Sequence, residues 1–261
     1  MTQYTTLSKT DFMLLVNKMK SNRPLVHCMT NDVVQEITAD VLLASGASPA
    51  MIIAQEECED FARIANTLLV NVGTIFPERV QAMVSAIETM NNMNKPWVLD
   101  PVAAGVIPWR DEVLKRLLEL RPTVVRGNAS EIMALVGASN GGKGVDSLDE
   151  SKNAINAAKA LAIKTHGVVA VTGESDFVTD GEEVIEIPGG HVMATLVVGT
   201  GCSLSAMVAA FCATCPCPLS ATAAALTLAK RAQEMAIANS KGPGSFHSAY
   251  LDALYQLTCN A

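Results

Sequence analysis

Short apolar runs rich in β-branched residues alternate along this chain with longer stretches of helical periodicity, and few folds accommodate that alternation. The runs Leu25–Cys28, Ala50–Ile53, Leu68–Val72, Trp97–Asp100, Thr123–Val125 and Gly167–Val171 predict strands. Helices are expected over Lys9–Lys20, Val33–Ala44, Glu56–Ala65, Pro77–Met93, Asp111–Leu120, Glu150–Thr165, Cys202–Ala213, Leu219–Asn239 and Phe246–Leu257. Strands apolar on both faces and separated by helices predict a mostly parallel central sheet with helices on both faces, a three-layer α/β architecture. Asp32-Val-Val-Gln35 has the form of a capping box, and Gly46 is placed to end the helix that follows it. Asp176–Ile187 reads as a β-hairpin around Asp180-Gly181. No linker or repeat divides the sequence, so residues 1–261 are expected to form a single domain.

Several classes of function are disfavoured at once. The net charge is −7 with no large Lys/Arg cluster, which offers neither duplex nucleic acid nor a membrane surface a partner. Seven cysteines, an odd number in apolar contexts, resemble reduced thiols and not a disulfide framework, and no signal-peptide pattern opens the sequence. A cytoplasmic location is the expectation. Cys212, Cys215 and Cys217 lack a second Cys/His pair at zinc spacing, and His27, on an apolar strand, reads as a core residue.

In a parallel sheet ligands bind beyond the carboxyl ends of the strands, so polar residues there are the ones to weigh. The sharpest feature is Val198-Gly199-Thr200-Gly201-Cys202-Ser203, leading into a helix. Glycines at a helix entry let free N–H groups converge on an anion, and a thiol in the first turn would have its pKa lowered. The bland alternative is a glycine-rich turn beside an inert cysteine. The third glycine of a dinucleotide fingerprint is replaced by Leu204, and Gly141-Gly-Lys-Gly144 lacks the Ser/Thr of a P-loop and reads as a loop.

Arg126-Gly-Asn128-Ala-Ser-Glu131 puts a cation, an amide and a carboxylate at one strand-to-helix junction. Glu131 could hold Mg²⁺ and Arg126 could meet a phosphate, while a plain helix cap by Asn128 and Glu131 is the ordinary alternative. Trp97-Val-Leu-Asp100-Pro101 ends a strand on a second carboxylate, commonly just a turn residue. Two carboxylates, an arginine and a glycine-rich helix start at one sheet edge form the set that phosphoryl transfer needs.

In order and spacing these segments resemble the hydroxyethylthiazole kinase family, thiamine-salvage kinases of the ribokinase-like superfamily. The resemblance runs through Pro24-Leu-Val-His-Cys-Met-Thr-Asn31, Gly46-Ala-Ser-Pro-Ala-Met51, Asn71-Val-Gly-Thr74, Asp100-Pro-Val102, Arg126-Gly-Asn-Ala-Ser-Glu131, Thr172-Gly-Glu174, Gly199-Thr-Gly-Cys202 and Lys241-Gly-Pro-Gly-Ser-Phe246. It implies a ribokinase-like fold, ATP- and Mg²⁺-dependent phosphorylation of 4-methyl-5-(2-hydroxyethyl)thiazole, and a homotrimer with active sites between subunits. It also implies that Met51, Gly199 and Asn31 contact the thiazole, that Arg126, Thr172 and Asn128 serve ATP, and that Asp100 and Glu131 organise metal and phosphates. Gly199, Thr200, Gly201 and Cys202 would form the anion hole, with Cys202 where wider relatives resemble one another in carrying an Asp base. Val198 departs from the Thr that the resemblance leads one to expect, removing a hydroxyl near the phosphates. The rival expectations are a kinase for hydroxymethylpyrimidine or pyridoxal, a non-catalytic thiazole- or ATP-binding module, and a dehydratase on a related fold.

Overall fold

A computed structural model describes residues 4–137 and 147–259. In chain order the elements are α1 (Lys9–Asn22), β1 (Leu25–Met29), α2 (Gln35–Ser45), β2 (Ser48–Ala50), α3 (Gln55–Ile64), β3 (Thr67–Asn71), α4 (Pro77–Asn92), β4 (Trp97–Asp100), α5 (Pro108–Glu119) and β5 (Val124–Asn128). Then come α6 (Ala129–Leu135), α7 (Ser147–Thr165), β6 (Val168–Thr172), β7 (Asp176–Thr179), β8 (Val184–Ile187), a 3₁₀ turn (Val192–Leu196), α8 (Thr200–Cys212), α9 (Pro218–Ala238) and α10 (Pro243–Cys259).

The strands form one eight-stranded sheet in the order β2-β1-β3-β4-β5-β6-β7-β8. The first six pair in parallel, and β6, β7 and β8 pair antiparallel as the expected hairpin. Successive strand residues point to opposite faces, and the core divides accordingly. Val26, Leu69, Val98 and Val124 face α1, α2, α8, α9 and α10, whereas Leu68, Val70, Leu99 and Val125 face α3, α4, α5 and α7. The strands are apolar throughout because both faces are covered.

The differences from expectation are local. The second strand lies earlier than Ala50–Ile53, because Ser48, Pro49 and Ala50 pair with Leu25, Val26 and His27, which frees Met51–Ile53 as the strand's exit. The fifth runs on to Asn128 and so carries Arg126 within the sheet. Asp32 does not cap α2: the N-cap is Val34 without a side-chain bond, and Asp32 instead pairs with Arg79 at 2.9 Å. Gly46 does end that helix, at φ 92°. The Gly141–Gly144 stretch lies outside the described residues.

Both sheet margins are short or covered. At one, β2 has three residues, one of them Pro49. At the other, Thr5 donates its N–H to Val184 O and accepts from Glu186 N, laying the N-terminal segment along β8.

Candidate active site

The chain leaves β1 for β2 on one side and crosses back to β3 on the other, so the order of strands reverses between β1 and β3. The carboxyl ends of β1, β3, β4, β5 and β6 around that switch point deliver Asn31, Asn71, Asp100, Arg126 with Asn128, and Thr172. The entry to α8 lies against them. Gly199 is its N-cap in the left-handed region at φ 86°, with no side-chain cap. The first N–H groups of this helix are therefore free to meet an anion, unlike those of α1 and α6, which Ser8 and Asn128 cap.

A buried polar chain runs across three strand ends. Asn31 Nδ2 donates to Asn71 Oδ1 at 2.9 Å, and Asn71 Nδ2 donates to Asp100 Oδ2 at 2.8 Å. Ser205 Oγ, from α8, donates to the same Asp100 oxygen at 2.8 Å. Register sets this chain, since Asn71 and Asp100 are paired neighbours. Burial pushes the Asp100 carboxyl up to about 6, against the opposing pull of Arg126 and of its Ser205 and Asn71 donors.

Asn31 Nδ2 also reaches Cys202 Sγ at 3.5 Å. Here the expectation of an acidified thiol is corrected. Burial, then the nearby Asp100 charge, push Cys202 up to about 11, and these outweigh Arg126 and the asparagine donors. At neutral pH it is a thiol. With iodoacetamide at pH 8, Cys202 should label roughly a hundredfold more slowly than a free thiol, whereas the exposed Cys217 and Cys259 label first. Peptide masses taken over time measure this, and labelling of Cys202 as fast as Cys217 would show an activated thiolate.

Arg126 joins the two halves of the site. Its Nη1 donates to Gly201 O at 3.1 Å and its Nη2 to Thr172 Oγ1 at 2.6 Å, while its buried Nε has no partner among the described residues. Beside it opens a cavity of about 660 Å³, to which Arg126, Asn128, Thr172, Thr200, Gly201 and Lys230 contribute. Asn31, Met51, Asp100, Glu131 and Cys202 are not among its lining residues.

Glu131 and Asn128 form a reciprocal cap on α6, with Asn128 Oδ1 accepting from Glu131 N and Glu131 Oε2 from Asn128 N, both at 2.9 Å. Glu131 Oε1 further accepts from Ala103 N at 3.0 Å, tying α6 to the loop after Asp100. Met51, one residue beyond β2, is half-buried against the α8 side of the core.

Two arginines escaped the sequence analysis. Arg79 bonds Thr74 O, Thr74 Oγ1 and Asp32, joining the β1 and β3 exits; Arg110 bonds Gly73 O and Val102 O, joining those of β3 and β4. A signal existed. Each sits in a Pro-x-Arg start to its helix, a cation where the macrodipole disfavours one. Ser205 was legible too, three residues from Cys202 on the same helix face.

A doubly wound, mostly parallel sheet with an uncapped helix entry facing the strand ends is an architecture shared with ribokinase-like proteins. A ribokinase-like superfamily protein from Enterococcus faecalis superposes with a TM-score of 0.66 over 98% of this chain and 97% of that one, at 13% identity, a likeness of fold. Sequence narrows the class. The hydroxyethylthiazole kinase family profile matches residues 16–260. A hydroxyethylthiazole kinase of Escherichia coli O1:K1 / APEC is 56% identical over 235 residues, 90% of each chain. The structure of the hydroxyethylthiazole kinase protein from Pyrococcus horikoshii OT3 superposes with a TM-score of 0.88 at 38% identity, covering 95% of this chain and 93% of that one. The chain belongs to the hydroxyethylthiazole kinase family.

Proposed function

We propose that this chain transfers the γ-phosphoryl group of ATP to the hydroxyl of 4-methyl-5-(2-hydroxyethyl)thiazole, giving the monophosphate and ADP. The observation that carries it is the free N-terminus of α8 set between the buried Asp100 and the cavity beside Arg126. The nucleotide occupies that cavity, with Arg126, Asn128 and Thr172 along its phosphates and ribose side. The alcohol lies on the other side of the α8 entry, against Gly199, Asn31 and Met51.

As the alcohol oxygen bonds to the γ-phosphorus, the bond from that phosphorus to the β,γ-bridging oxygen breaks. The amides of Thr200, Gly201 and Cys202 receive the charge on the transferring group. A loose transition state needs little help from a base. Cys202, a thiol at neutral pH, therefore positions the hydroxyl, and the proton leaves late to a phosphoryl oxygen or water. Cys202→Ala should lower turnover and Cys202→Asp should retain or improve it. An unchanged rate in the Ala variant would remove Cys202 from the mechanism.

The donor set fits Mg²⁺ in the manner of an ion held chiefly by substrate phosphates and water. Among the described residues no group of three His, Cys, Asp or Glu could hold an ion unaided. Asp100 receives both its side-chain bonds on Oδ2, which leaves Oδ1 for an ion. Glu131, held by two backbone N–H groups, would act through water. When bound, Mg²⁺ would offset negative charge on the phosphates, with Asp100 holding it directly and Glu131 through water.

A homotrimer with sites between subunits also fits, because Val33, Leu196 and Val198, close in sequence to Asn31 and Gly199, are more than 60% exposed. Light scattering tests it. Among the described residues no helix is long and apolar enough to cross a membrane.

The deciding experiment incubates the chain with ATP, Mg²⁺ and the thiazole alcohol and identifies the product by mass. The thiazole monophosphate supports the proposal. Phosphorylation of pyridoxal or hydroxymethylpyrimidine instead would overturn the substrate alone. Nucleotide binding without phosphorylation of any alcohol would indicate a binding module, and ATP consumption with a dehydrated product a dehydratase.

A further inference from the structure

Helix α9 is alanine-rich and largely buried, and of its two adjacent cations Arg231 lies over the Phe12 ring while Lys230 is only 7% exposed. A buried lysine needs partners for its charge and for its three N–H bonds. Nζ donates to Gly173 O at 2.9 Å and to Glu174 O at 2.8 Å, and lies 3.2 Å from Asp176 Oδ1. That same Asp176 oxygen accepts the N–H of Gly173 at 3.0 Å. All three partners belong to the segment that follows Thr172, one wall of the cavity beside Arg126.

The opposite wall is fastened to the same helix face. Gln233 Oε1 accepts from His191 N and Glu234 Oε1 from Gly190 N, both at 3.1 Å. Residues 230, 233 and 234 share one face by helical spacing. Gly190, at φ 84°, passes so close that a Cβ there would lie 2.5 Å from Lys230 Cδ. One helix face thus grips both walls.

We propose that Lys230, with Gln233 and Glu234 beside it, is a positioning residue that sets the width of the nucleotide cavity by strapping the Gly173–Asp176 and Gly189–His191 segments to α9. A lysine in a phosphate-binding cavity would ordinarily be taken for a phosphate ligand. Here its three donors are already committed, so it acts through the backbone it holds. This rests on the cavity being the nucleotide site.

The test uses the full chain and ADP, with affinity read by calorimetry in the absence of alcohol. Lys230→Met should weaken ADP binding about tenfold or more, the weight of a lost charge-assisted hydrogen bond. KM for ATP should rise in step, with KM for the alcohol and kcat little changed. Because Lys230→Met strands Asp176 as a buried unpaired charge, the double variant Lys230→Met/Asp176→Asn is the control. It removes that charge while keeping an acceptor for the Gly173 N–H. If Lys230 straps the loop, the double variant regains melting temperature but not ADP affinity. If both return together, Lys230 merely neutralises Asp176 and the proposal falls. Unchanged ADP affinity in the single variant also overturns it while leaving the nucleotide site in place. Absence of ADP binding to the unaltered chain would overturn the nucleotide site, and this proposal with it.

Discussion

Asp100→Asn should lower kcat about a hundred- to a thousandfold, the size seen when one preorganised electrostatic group is lost from an active site, and should leave the fold intact. Asp100 is 2% exposed, yet Asn71 and Ser205 both donate to a single oxygen of it. An amide oxygen can accept both bonds, so the buried polar chain survives the substitution. What disappears is the negative charge and the second carboxylate oxygen proposed as the Mg²⁺ ligand. Steady-state rates with a thermal melt separate the two effects. A loss below tenfold with an unchanged melting temperature would mean that Asp100 only anchors Asn71 and α8. Asp100→Ala, by contrast, should damage both, because it leaves the Asn71 and Ser205 donors without an acceptor.

Gly199→Ala should abolish measurable turnover and also lower the melting temperature. Two costs combine. At φ 86° an L side chain is strained, by about 1–3 kcal/mol. The added Cβ would also collide with Ile37 Cγ2 and stand 3.0 Å from Val34 Cγ1, an overpacking cost of about the same size. Together these predict a fall in melting temperature of roughly 5–20 °C. Relief requires the α8 entry to move away from α2, which turns the Thr200, Gly201 and Cys202 amides off the phosphate. Activity measured well below the new melting temperature is the discriminating result. Full turnover there would exclude the α8 entry as the anion hole.

Much of this architecture is legible in sequence because it is local. Strands buried on both faces read as continuous apolar runs, and the residues that end them, Asn71, Asp100 and Thr172, necessarily come to one edge of a parallel sheet. Errors arose where a distant partner decides the outcome. Asp32 has the local pattern of a cap, but Arg79 from α4 claims its carboxylate. Cys202 sits in the first turn of a helix, which argues for a lowered pKa, but burial and Asp100 from β4 reverse the sign. Glu131 satisfies the capping pattern as well as the carboxylate pattern, and both its oxygens are engaged by backbone N–H groups. Lys230 left one trace, a place in the only charged pair amid Ala221–Ala232, although its partners follow β6 and could not be named from the helix alone.

The two margins of the sheet have a consequence for colloidal behaviour. A row of unpaired backbone groups invites strands of other molecules to add on, the commonest beginning of aggregation in sheet proteins. Pro49 removes a donor from an already brief β2, and the segment around Thr5 occupies the other rim through Val184 and Glu186. Strand-to-strand polymerisation is discouraged at both ends. Any association between copies of this chain would thereby run through side chains, where geometry can close a ring, and not through backbone ladders, which grow without limit.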